Sequence, residues 1–124
     1  MRRRPPWWLG GGLIMAAALA ACGGAPAPIG TPPPDAVVVT AQGTAFTTQH
    51  VTVPASEPFT LWLDNLDNEV HNVHIWDAAG ASVYTGQFLT GPAARTELVP
   101  PLTPGTYRFT CDIHPGMAGQ LVAQ

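Results

Sequence analysis

An all-β domain, either a sandwich or a barrel, is the fold class this sequence predicts. Three observations carry that reading. Short apolar runs alternate with polar residues at a period of two, clusters of Gly and Pro end each run, and no stretch of ten or more residues repeats its apolar positions at helical spacing. Residues 37–39 are a β-branched apolar run. Residues 50–53 alternate and stop at Pro54, and residues 59–63 alternate and stop at Asp64 and Asn65. Residues 70–76 form the next strand candidate, ended by a turn at 77–80. Residues 95–99 alternate up to Pro100 and Pro101, residues 106–111 follow a turn at 103–105, and residues 119–123 make a last strand. Pro ends such runs because it brings no N–H to a ladder.

The 124 residues allow one domain, of which about 90, from residue 35 to 124, have a foldable pattern. Ahead of them lies an address and a tether. Arg2, Arg3 and Arg4 precede a short apolar stretch, residues 9–21, that falls short of the roughly 20 residues a membrane span needs. It ends in Leu19-Ala20-Ala21-Cys22, which resembles the bacterial lipobox, where cleavage precedes a Cys that carries diacylglycerol. Residues 1–21 are therefore read as a lipoprotein-type signal peptide and Cys22 as the lipidated residue. Residues 22–34, rich in Gly, Ala and Pro and uncharged, are read as a flexible lipid-anchored linker. The expected location is outside the cytoplasm, held to a membrane and facing the periplasm or the cell exterior.

Charge narrows the function. From residue 22 onward two Arg oppose eight carboxylates, a net charge of −6 with His neutral. Such a surface does not suit nucleic acid, whose phosphates require a basic face, and favours a basic partner. Of the two Cys, Cys22 is assigned to the lipid, which leaves Cys111 alone in an oxidising compartment. A metal is the simplest occupant for that thiol.

Cys111-Asp112-Ile113-His114-Pro115-Gly116-Met117, at the end of a strand, is the strongest signal in the chain. It places a thiolate, an imidazole and a thioether within seven residues. Thiolate and thioether select copper(I), imidazole serves both copper states, and two His with one Cys and a weak axial Met make a blue-copper site. Structural zinc prefers closed sets of Cys and His. The second His must come from elsewhere, and His50, His71 and His74 remain. His71 follows a polar loop and opens a strand. His74, three positions on, points to the opposite face of that strand, so His71 and His74 do not both serve one ion without a bulge. His71, Val73 and Ile75 share the face that reads as core.

His71-Asn72-Val73-His74 together with Cys111-x-x-His114-Pro115-x-Met117 resembles the two copper motifs of the cupredoxins, the type 1 blue copper proteins. It is most similar to the amicyanin- and plastocyanin-like branch and has amicyanin's short ligand-loop spacing. The resemblance runs over residues 35–124. It implies an antiparallel Greek-key two-sheet β-sandwich with copper at one end. It also implies His71, Cys111 and His114 as equatorial ligands, Met117 as the axial one and Asn72 as the residue that steadies the Cys loop. Two departures stand out: Ile113 occupies a position where amicyanin and plastocyanin have Pro, and residues 87–92 match nothing in the family's pattern. The N–H that Ile113 retains is expected, with that of Asn72, to reach the sulfur of Cys111.

Four protein ligands leave no open position for a substrate, so an electron carrier, not an enzyme, is expected, with one copper ion cycling between Cu(I) and Cu(II). The rival reading is a copper chaperone or storage protein. The expected partner is a cytochrome or a membrane oxidoreductase with a basic docking surface, met by a monomer. Asp64, Asp67, Glu69 and Asp112 are expected to ring the copper end with negative charge.

Overall fold

Apolar residues at every second position commit each strand to one buried face, and two such faces make the core. The computed structural model describes Gly23 and residues 27–124. The expected signal peptide and the expected lipidation site at Cys22 lie outside the described residues. Eleven strands follow one another: β1 (Val37–Gln42), β2 (Ala45–Phe46), β3 (His50–Val53), β4 (Phe59–Asn65), β5 (Val70–His71), β6 (His74–Trp76), β7 (Ser82–Thr85), β8 (Leu89–Thr90), β9 (Ala93–Val99), β10 (Gly105–Thr110) and β11 (Ala118–Ala123). They form a four-stranded sheet in the order β2-β1-β4-β9, a five-stranded sheet β3-β11-β10-β6-β7, and a two-stranded ribbon β5-β8. The sandwich is as the sequence predicts. The expectation that it is wholly antiparallel is corrected: β1 runs parallel to β4 and β3 parallel to β11, so both main sheets are mixed.

The core follows the period-two pattern. Val39, Leu61, Leu63 and Val99 face inward from one sheet, and Ile75, Phe109 and Leu121 from the other. Phe46 and Phe109 meet edge to face with centroids 5.1 Å apart. Gly119 lies directly beneath the Phe109 ring, where a Cβ would collide with it. Truncating one such residue, as in Leu61→Ala, costs about 2–5 kcal/mol by the usual large-to-small cavity penalty.

Two segments depart from the sequence reading. Residues 70–76 are not one strand. The ladder breaks at Asn72 and Val73, so that β5 pairs with β8 while β6 joins the five-stranded sheet. Residues 28–36, placed in a linker and at its junction by composition, lie against the four-stranded sheet. The Ile29 N–H donates to Asp64 Oδ1 at 2.8 Å, Gly30 sits over the Trp62 ring, and a turn closes with the Ala36 N–H donating to Pro33 O at 3.2 Å. Asp64, expected on the surface, is thereby buried.

Candidate metal centre

Strand parity aims the Cys. Tyr107 and Phe109 face the core from β10, and Cys111, two residues on, continues that row at the open end of the sandwich. The chain then turns back on itself: the Cys111 N–H donates to Met117 O and the Met117 N–H to His114 O, both at 3.1 Å. This closes the loop that carries Cys111, His114 and Met117. Met117 is buried, whereas His114 is half-buried beside exposed Pro115 and Gly116.

The strand break at Asn72 brings the other His to this loop. His71, fully buried, sits in the β5-β8 ribbon with Leu89 as its pairing partner. The unassigned residues 87–92 are what close over it. Asn65, at the end of the inward row of β4, donates from Nδ2 to Leu89 O and to Glu69 O, each at 2.9 Å. Gly91 lies so close to Asn65 and to the Asp67 carbonyl that any side chain there would collide with them.

The atoms that converge are His71 Nδ1, His114 Nδ1 and Cys111 Sγ. The two nitrogens are 3.1 Å apart, and the sulfur lies 3.8 Å from His71 Nδ1 and 3.5 Å from His114 Nδ1. A point at the centre of this triangle is about 2.0 Å from all three atoms, the length of a bond from a first-row metal to imidazole nitrogen. The tautomer of His71 agrees: its Nε2–H donates to Asp67 Oδ2 at 2.8 Å, leaving the Nδ1 lone pair facing the triangle. Burial alone would raise the Asp67 carboxyl. The N–H groups of Thr44 and Gly43 and the His71 ring outweigh it and hold that carboxyl below the usual carboxylate range.

A second network fixes the loop from outside. Asn72 donates from Nδ2 to Asp112 Oδ2 at 2.7 Å and accepts the Asp112 N–H on Oδ1 at 2.9 Å. The other oxygen of Asp112 meets His74 Nδ1 at 2.7 Å, and His74 Nε2 meets Ser82 Oγ at 2.7 Å. Here too burial works to raise the Asp112 carboxyl, and the bonds from Asn72 and His74 overcome it and lower it. Both ring nitrogens of His74 are thus engaged, and its ring stacks on Trp76 at 3.8 Å. His50 lies apart from the triangle, exposed, with Nδ1 3.3 Å from Gln120 Oε1.

Among the described residues, Cys111 Sγ has the Nδ1 atoms of both His rings within 3.8 Å. The Asn72 side chain grips the neighbouring residue Asp112, and the Ile113 side chain points outward, half exposed. Sequence reasoning gave Asp67 and Asp112 only a surface role. Their signal was position: Asp67 lies one helical-turn spacing before His71, and Asp112 directly follows the Cys. Of the acidic residues expected to ring the metal end, Asp64 is buried, Asp67 is half-buried, and Glu69 and Asp112 remain exposed.

A β-sandwich with a buried His-Cys-His triangle at one end, closed by a loop that also carries a Met, defines a single-metal protein whose soft donors fit one copper ion. The chain belongs to the cupredoxin-like domain family, whose model matches residues 12–123. Similar solved structures include amicyanin from Paracoccus versutus, 25% identical with a TM-score of 0.60, covering 79% of this chain and 92% of that one. Dithionite-reduced auracyanin from Roseiflexus castenholzii is 19% identical with a TM-score of 0.63, covering 73% of this chain and 97% of that one. Auracyanin A from Chloroflexus aurantiacus, described as a "blue" copper protein, is 18% identical with a TM-score of 0.62, covering 72% of this chain and 98% of that one. At these identities the auracyanin likenesses speak for the fold. Comparison with curated protein sequences gives no match.

Proposed function

We propose that this protein is a single-electron carrier working outside the cytoplasm, with one type 1 copper that His71, Cys111, His114 and Met117 would hold. The observation that carries the reading is the triangle of His71 Nδ1, His114 Nδ1 and Cys111 Sγ, with sides of 3.1–3.8 Å, at the end of a cupredoxin sandwich. The 25% identity to amicyanin supports it. Copper, when bound, supplies the one-electron couple.

The chain's own residues do the rest. Asp67 holds the His71 ring so that Nδ1 stays a lone-pair donor. Asn72 and His74 hold Asp112, the residue that follows the thiolate, so the loop does not relax when the charge at the site changes. The β5-β8 ribbon and Met117 keep water from the buried side. His114, half-buried, brings its ring edge to the surface as the path for the electron. Rigid donors keep reorganisation small, which is what a carrier needs. The lipobox-like Leu19-Ala20-Ala21-Cys22 supports an anchor at Cys22, and the net charge of −6 from residue 22 onward supports a redox partner with a basic docking surface, such as a cytochrome or a membrane oxidoreductase.

Repeated oxidation and reduction at an electrode tests the reading against copper delivery. A carrier keeps close to one copper per chain and a reversible wave throughout. Progressive loss of copper to a copper(I) chelator during cycling, with no reversible wave, contradicts it and favours a chaperone.

A further inference from the structure

The path of residues 28–36 across the four-stranded sheet sets the direction in which the tether leaves the domain. β1 begins at Val37, which is paired with Leu61 midway along β4, and runs parallel to β4 toward its Asn65 end. Going backward from Val37, the chain turns at Pro33–Ala36, passes over Trp62 at Gly30, and reaches Asp64 at Ile29. The strap therefore travels toward the same end as β1 and stops beside the last residues of β4. That end is the metal end: Asn65 accepts the Asp67 N–H at 3.0 Å, and Asp67 in turn holds His71. The strap covers the Asp64 carboxyl group and supplies the Ile29 N–H to it, which ties residues 28–30 to the end of β4.

Cys22 lies only seven residues before Ile29, and a coil of that length has a root-mean-square reach of roughly 15 Å. The far end of the sandwich, around the exposed loop at Ser56 and Glu57, is separated from the metal end by the seven residues of β4, ~23 Å. A lipid on Cys22 would thus pull the molecule toward the membrane by its metal end. The exposed apolar side chains agree. Of the five large ones among the described residues, Ile29, Phe88 and Ile113 belong to segments at this end: Ile29 is bonded to Asp64, Phe88 precedes the pairing partner of His71, and Ile113 lies between Cys111 and His114.

We infer that the strap turns the copper end of the domain toward the bilayer that holds Cys22, so that the face around His114 meets a redox protein embedded in that same membrane. This rests on the proposed copper site and lipid anchor, and adds an orientation that neither requires.

The test uses the mature lipidated protein, copper-loaded and oxidised, in phosphatidylcholine vesicles doped with a gadolinium-chelate lipid. Two reporters sit at opposite ends of one molecule: Cu(II) itself, and a nitroxide attached at Glu57→Cys while copper occupies Cys111. The expected result is a spin-relaxation enhancement by the surface gadolinium several-fold larger for Cu(II) than for the nitroxide. Release of the strap by Asp64→Ala should bring the two enhancements together, with the visible spectrum of the variant confirming that its site is intact. If that variant does not fold, inserting a long Gly/Ser spacer between Gly23 and residue 27 should have the same effect. A nitroxide enhanced as much as Cu(II) in the lipidated wild type, or more, overturns the orientation while leaving the anchor in place. A mature protein with no lipid on Cys22 by mass overturns the anchor, and the orientation with it. A Cu(II) centre that is close to the membrane but exchanges electrons only with a soluble carrier overturns the assignment of the partner.

Discussion

Two of the ligands, His71 and Cys111, are positioned by residues outside the donor set. Asp67 is the clearest case, since its bond to Nε2 decides which nitrogen of His71 is free. Losing such a partner typically weakens metal binding 10–100-fold. Asp67→Ala should therefore weaken copper affinity by about that factor, while Asp67→Asn, which keeps an acceptor oxygen, should retain most of it; competitive titration against a copper chelator measures both. His74 behaves differently. Its nitrogens are engaged by Asp112 and Ser82, so His74→Ala should leave the visible spectrum nearly unchanged. It should instead destabilise the apo-protein by about 0.5–1.5 kcal/mol, the net worth of a lost hydrogen bond, because Asp112 and Ser82 are exposed and can turn to water; denaturant unfolding reads it. A bleached site in His74→Ala with an intact one in His71→Ala would reverse the ligand assignment.

At the scale of elements, the inward parity of β10 aims Cys111, and the break between β5 and β6 frees His71 from both main sheets. The sequence carried the first openly: Tyr107, Phe109 and Cys111 alternate with Thr106, Arg108 and Thr110. It concealed the second, because residues 70–76 contain no Gly or Pro to mark a break. What interrupts them is Asn72, whose side chain bonds to Gly86 and Asp112 across the fold, and such distant partners leave no local pattern. The two-residue strands β2 and β8 are too short to show a period, and the parallel pairings follow from chain crossings that alternation does not encode. The docking of residues 28–36 was hidden by composition, since Pro and Gly that read as a tether also fit a strap lying flat on a sheet.

Another cross-sheet tie is titratable. Tyr84 on β7 donates its hydroxyl to Glu97 Oε2 on β9 at 2.7 Å, and Glu97 Oε1 also accepts the Gln87 N–H. Burial, and then the neighbouring Glu97 carboxylate, push the Tyr84 phenol well above its ordinary value of 10.0. A group whose proton is held more tightly in the folded state stabilises that state fully below its unfolded value and loses the contribution as pH rises beyond it. Stability should therefore fall as pH climbs above about 10, and Tyr84→Phe, less stable at neutral pH, should show a shallower decline. Urea midpoints at pH 9 and pH 11 in both proteins provide the check.

For the whole molecule, the excess of carboxylates and the few free apolar side chains divide the work of recognition. Charge acts at a distance and guides the approach of a basic partner; the surface around His114 then makes the contact. Electron transfer with such a partner should slow as salt rises, since screening shortens the reach of charge to ~10 Å at 0.1 M. A rate independent of salt would leave contact alone as the basis of docking. Copper should also link to folding, because an ion bound only by the native triangle raises the unfolding temperature by an amount that grows with the logarithm of its affinity. Removal with a chelator should lower the melting temperature without unfolding the sandwich, whose core extends from Cys111 and Met117 at the metal end to Val53 and Phe59 at the other.

The central claim is that Cys111 thiolate, with two imidazoles, binds one copper, and the visible absorption spectrum of the copper-loaded, air-oxidised protein tests it most directly. An intense blue or green thiolate-to-copper band is predicted for the wild type, lost in Cys111→Ser and retained in Met117→Leu with a changed reduction potential. A fully copper-loaded wild type without that band, or a band that survives Cys111→Ser, would contradict the account.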